Sequence, residues 1–211
     1  MTKKLIAEFI GTFFLLLIVA LTENPIAIGI GLTALVYMGG YISGAHYNPA
    51  VTLALFINKK ITASGAGAYM LTQFIAAIFA SYAYFLIHGN HFIPQMGKNS
   101  SFTSAFLIEL LFTFLLASVV LHVAVTDKTK GNNYFGIAIG FTLGAAAFAG
   151  GTISGGAFNP AVGVGPLLFD ITHAANHGTS FLLYLLGPFI GGTLAGTLYK
   201  RLLSSKTKCN T

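Results

Sequence analysis

The apolar residues of this chain fall in long blocks, without the alternating or one-sided patterns of a soluble fold. Six blocks have the length a helix needs to cross a ~30 Å hydrocarbon layer, about 17–25 residues: 5–21, 26–42, 67–87, 103–125, 134–150 and 181–203. Two shorter blocks, 48–57 and 159–169, follow the second and the fifth. About ten residues at 1.5 Å each make roughly 15 Å of helix, half of the layer. The pattern predicts an all-α membrane protein with six spans and two re-entrant half-helices. Between span and half-helix, 43–47 and 150–158 are expected to be non-helical, which at membrane depth is tolerated only where backbone is buried in protein or lines water.

The blocks repeat. Ile42-Ser43-Gly44-Ala45-His46-Tyr47-Asn48-Pro49-Ala50-Val51 aligns with Ile153-Ser154-Gly155-Gly156-Ala157-Phe158-Asn159-Pro160-Ala161-Val162, seven of the ten positions being identical. The first spans match through Glu8 to Phe13 against Glu109 to Phe114, and the third through Gln73-Phe74-Ile75 against Pro188-Phe189-Ile190. The chain is thus one domain, 1–211, built from a first repeat, 1–95, and a second, 100–211. Three spans per repeat is an odd number, so the second copy enters from the opposite face, a plan common in proteins with a site near the midplane.

Composition agrees. Of 211 residues, 55% are hydrophobic and only 8% charged, against about a quarter charged in soluble domains. The net charge of +6 is explained by loop placement and does not point to nucleic acid. Ten of the 11 basic residues lie at the two termini or in the loops holding Lys59, Lys60, Lys128 and Lys130; Lys98 alone lies opposite. By the positive-inside rule both termini are expected in the cytoplasm. Block 5–21 lacks a small-residue cleavage site and reads as a span, not a removed signal. The single cysteine, Cys209, permits no intrachain disulfide. With no Trp, an interfacial belt falls to Tyr82, Tyr84, Tyr134 and Tyr199.

The repeated motif has a physical reading. Asn is a good N-cap and Pro suits the first helical position, so Asn48-Pro49-Ala50 and Asn159-Pro160-Ala161 start the two half-helices. Entering from opposite faces, these meet tip to tip at the centre. Their positive ends converge there and repel cations, protons included, while the carboxamides offer donors to a neutral solute. Glu8 and Glu109 are ionisable groups inside spans, which face a polar interior partner; backbone of the re-entrant loops is the expected partner. His46, inside the first loop, is expected to serve as a structural hydrogen-bonder.

These residues resemble the aquaporin family, the major intrinsic proteins, over the whole chain. The resemblance implies one pore per subunit, a homotetramer in the lipid bilayer and passive conduction of water and small neutral solutes. It also implies a narrow outer filter at four positions, here Ile28, Ala147, Gly156 and Val162. Most members carry arginine after the second motif, where this chain has Val162; water-selective members have histidine where Ala147 stands, and glycerol facilitators have aspartate where Gly163 stands. Some plant vacuolar-membrane aquaporins share the valine. An arginine-less filter of these side chains is wide and apolar, with ammonia, hydrogen peroxide, urea and glycerol as candidates beyond water.

Other readings compete. Inverted repeats with broken helices also build secondary transporters, and a junction protein could keep the fold while conducting poorly. No nucleophile–base set, phosphate loop or metal-ligand spacing supports an enzyme, a cofactor or a metal. His88, His91, His173 and His177 fall on the outer side and read as solvated loop residues, although His173 and His177 have the i, i+4 spacing of a metal pair. His122, near the end of the fourth span, is a candidate sensor of cytoplasmic pH.

Overall fold

Apolar segments in lipid must satisfy their backbone internally, and here they do so as helices. The computed structural model describes residues 1–170 and 178–204. Helices α1 (Thr2–Thr22), α2 (Pro25–Ser43), α4 (Ala63–His88), α5 (Phe102–Val120), α6 (Phe135–Ser154) and α8 (Gly178–Ser204) have spanning length and hydropathy. Short helices α3 (Pro49–Ile57) and α7 (Pro160–Phe169) have nine and ten residues. The α5 span continues to Val125 through a π-helical turn, Leu121–Val125. The order α1–α4 recurs as α5–α8. His173, His177 and Cys209 lie outside the described residues.

The second loop is shorter than the glycine-rich sequence suggested: α6 runs on to Ser154, so the non-helical stretch begins at Gly155 and not near 150. Both loops open with a left-handed glycine cap, Gly44 and Gly155, each at φ 92°. Only glycine takes that conformation cheaply, and it turns each chain back into the protein.

Close packing closes the bundle. A Cβ on Gly191 of α8 would overlap the Leu110 carbonyl of α5, and one on Gly192 would overlap the Ala50 carbonyl of α3. Backbone cannot yield as a flexible side chain would, and small residues at helix crossings are the usual membrane solution. Gly191→Leu is therefore expected to destabilise the protein by about 3 kcal/mol or more, seen as a lowered thermal midpoint in detergent. Gly67→Leu, where a Cβ meets nothing within 4 Å, should leave that midpoint in place.

Two surface expectations need correction. Tyr199 is only 4% exposed, and its hydroxyl lies 2.9 Å from Thr126 Oγ1; it packs inside the bundle and is no part of an interfacial belt, whereas Tyr82 and Tyr134 are exposed. His91 is not merely solvated. Its Nδ1 lies 2.9 Å from the buried Asp170 carboxylate at the end of α7, tying the α4–α5 loop to the half-helix.

Candidate pore

Each half-helix tip is capped by its own asparagine. Asn48 Oδ1 accepts from the amide of Ala50 at 2.8 Å, and Asn159 Oδ1 accepts from Ala161 at 2.9 Å. The amide ends cross over. Asn48 Nδ2 donates to the Phe158 carbonyl and Asn159 Nδ2 to the Tyr47 carbonyl, both at 2.9 Å. The two tips thus meet inside the bundle, each braced on the other's loop. A carboxamide has two N–H groups; the second on each side remains for a passing acceptor.

The loops are held by the two buried glutamates. Glu8 Oε1 accepts from Ser43 Oγ and the His46 amide, and Oε2 accepts from the Tyr47 amide and Gln73 Nε2, at 2.7–2.9 Å. Glu109 accepts from Ser154 Oγ and the amides of Ala157 and Phe158 at 2.7, 3.0 and 2.7 Å. These contacts fix unfavourable backbone: Ala45, Tyr47 and Phe158 all have φ near +50°, a region costly for residues with a Cβ. Charge-assisted bonds to backbone amides are among the stronger ones and offset that cost.

The halves differ behind the loops. In the first, Gln73 Nε2 donates onward to Thr52 Oγ1 at 3.1 Å, and Thr52 Oγ1 lies 3.1 Å from His46 Nδ1. In the second, Ala157, Gly163 and Pro188 stand at the equivalent positions, so Glu109 has no counterpart of Gln73. Two tyrosines unassigned from sequence complete the frame: Tyr69 and Tyr184 donate to the carbonyls of Ser43 and Ser154 at 2.9 and 2.6 Å. Aligning Gln73 on Pro188 also places Tyr69 on Tyr184, so the signal was available.

Beside the tips runs a narrow central cavity. One wall is polar, with His46, Asn48 and Asn159; the other is apolar, with repeat-equivalent pairs such as Leu15 with Leu116 and Leu32 with Leu143. A wider cavity adjoins at each end. We call the end bearing Lys59, Lys60, Lys128 and Lys130 inner. The inner cavity, beside the α5–α6 loop, shares Ile139 with the central one. The outer cavity, roofed by the 90–95 segment, shares Val19, Ile28 and Gly156 with it. Ala147 lines the outer cavity and Val162 the central one. Ile28, Ala147, Gly156 and Val162 therefore gather where the two cavities join. The loop segment at 90–95 had no sequence signal, because irregular backbone is placed only by what it packs on.

Six spans, two opposed half-helices and a polar-on-one-side passage define a transmembrane channel. The sequence model for the major intrinsic protein family matches residues 1–199. Glycerol uptake facilitator protein-like 6 of Lactiplantibacillus plantarum is 34% identical, covering 92% of this chain and 94% of that protein. Aquaporin AqpM of Methanothermobacter thermautotrophicus is 34% identical over 97% and 98%, and aquaporin TIP1-1 of Arabidopsis thaliana 33% over 94% and 86%. The solved aquaglyceroporin of Plasmodium falciparum shares the fold, with a TM-score of 0.82, 21% identity and 96% of each chain covered. This chain belongs to the major intrinsic protein family. It is a multi-pass membrane protein and a passive channel for water and small neutral solutes.

Proposed function

We propose that this channel has a wide outer filter formed by Ile28, Ala147, Gly156 and Val162, and that it passes ammonia, hydrogen peroxide, urea and glycerol besides water. The observation that carries the reading is the composition of that junction: four uncharged side chains, none larger than isoleucine, beside two asparagine tips that retain a free donor each. An arginine would supply bulk, five donors and a fixed charge; without it the opening is wider and its electrostatic barrier lower. Protons remain opposed by the converging half-helix ends. Relatives named both as aquaporins and as a glycerol facilitator support a range beyond water.

Asn48, Pro49, Ala50, Asn159, Pro160 and Ala161 form the central pore motif in this reading, and Glu8, Glu109 and His46 support its loops. The subunits associate as a homotetramer with one pore each. Both termini face the cytoplasm, the side to which the lysine-bearing loops point.

The test is stopped-flow shrinkage and solute-reswelling of proteoliposomes. Water flux should exceed that of empty vesicles, and urea, glycerol and ammonia fluxes should rise linearly with gradient. Saturation with counterflow would instead reveal a carrier. Water flux without any urea or glycerol flux would end the wide-filter reading.

A further inference from the structure

The outer filter has a counterpart at the inner end. The register that carries Gly44 onto Gly155 carries Ile28 onto Ile139, Val36 onto Ala147, Ala45 onto Gly156 and Val51 onto Val162. The repeats are inverted, so α2 and α6 exchange places and the second set falls at the inner neck. Val36 lines the inner cavity, Ala45 and Val51 line the central one, and Ile139 lines both.

The two sets are unequal in bulk. Isoleucine and valine are common to both. At the remaining positions the inner set is always larger: valine replaces alanine, adding two carbons, and alanine replaces glycine, adding one. The next residue adds more. His46 lines the central cavity where the second repeat has Ala157. Its ring cannot swing aside, because Nδ1 is held by Thr52 Oγ1 at 3.1 Å and the ring packs edge-on against Tyr69 at 4.9 Å. Thr52 and Gln73 in turn tie it to Glu8. Among the described residues the second repeat has no such chain. The surrounding helices are close-packed, so added side-chain volume is taken from the passage and not absorbed by the wall.

We infer that the inner neck of Val36, Ala45, Val51 and Ile139, with His46 beside it, sets the size limit for solutes, and that the outer filter does not. This rests on the pore reading above. With no arginine at the outer four positions, their side chains are smaller than those at the matching inner four, and the narrowest point moves inward.

Val36→Ala and Ala45→Gly, separately and together, give the inner neck the side chains of the outer one. Ala45→Gly also relieves a backbone at φ 50°, so this variant keeps the test open if Val36→Ala proves unstable. Ala147→Gly is the matching enlargement at the outer end. Reswelling is measured with urea, glycerol and a four-carbon polyol after water flux has been established for each protein. The double inner variant should raise glycerol and four-carbon polyol permeability roughly tenfold, the scale of discrimination by one or a few carbons. Ala147→Gly should raise them by far less. An equal or larger effect at Ala147, or no rise from the inner variants, overturns the inference. A wild-type protein with no water flux above empty vesicles would instead remove the pore reading, and the inference with it.

Discussion

Val162→Arg should lower urea and glycerol permeability by roughly tenfold or more, while water permeability falls much less. Val162 is only 2% exposed and lies in the first turn of α7, beside the central cavity where that cavity meets the outer one. Replacing it puts a long guanidinium into a passage otherwise bounded there by Ile28, Ala147 and Gly156. The group narrows the opening and adds a fixed charge close to the positive end of a half-helix. Discrimination by an added steric element of this size is ordinarily tenfold to a few hundredfold. Water survives because it needs the smallest opening and can bond to the guanidinium in passing. The measurement is the reswelling rate divided by the amount of folded protein in the vesicles. Unchanged solute rates in a folded variant would show that Val162 does not border the outer part of the passage.

Glu8→Ala should abolish the stable channel. The change leaves the buried amides of His46 and Tyr47 and one N–H of Gln73 without an acceptor. At about 1–3 kcal/mol for each stranded donor, the loss is at least ~3 kcal/mol, against a total stability of about 5–15 kcal/mol for a typical domain. It also frees Ala45 and Tyr47 from the contacts that hold their left-handed backbone. The expected result is a sharp fall in the thermal midpoint in detergent and loss of water flux. Glu109→Ala should show the same behaviour to a smaller degree, because Glu109 accepts three donors and has Pro188 where Gln73 serves Glu8. A Glu109 variant weaker than the Glu8 variant would break this ordering. So would a Glu8 variant with a normal midpoint.

The two predictions draw on different kinds of information. The six spans, the two half-helices and their inverted arrangement could be read along the chain. Bilayer thickness fixes the length of a span, and a ten-residue apolar block cannot cross it. The helix starts at Asn48-Pro49 and Asn159-Pro160 follow from capping, which acts within three residues. The paired glutamates announced an interior role because a carboxylate in hydrocarbon needs a partner.

Where residue type misleads, the deciding contact is distant in the chain. Tyr199 has the residue type of an interfacial belt, yet its hydroxyl meets Thr126 inside the bundle. A loop histidine suggests a solvated residue, yet His91 meets Asp170, which lies far along the chain.

Local chemistry alone determined that there would be short helices with asparagine caps. It did not determine which caps make a pore. Asn24-Pro25 starts α2 with the same side-chain bonds, Oδ1 accepting from Ile26 and Ala27, but it stands at the outer end of a full span. Only the docking of the two repeats carries Asn48 and Asn159 to the same point, where each reaches a carbonyl more than a hundred residues away. The unequal bulk at the two necks is likewise written in the side chains at Val36, Ala45 and His46. It becomes a property of the passage only when inverted packing turns those side chains toward one cavity, since caps and spans obey short-range rules and a pore is defined by what faces it.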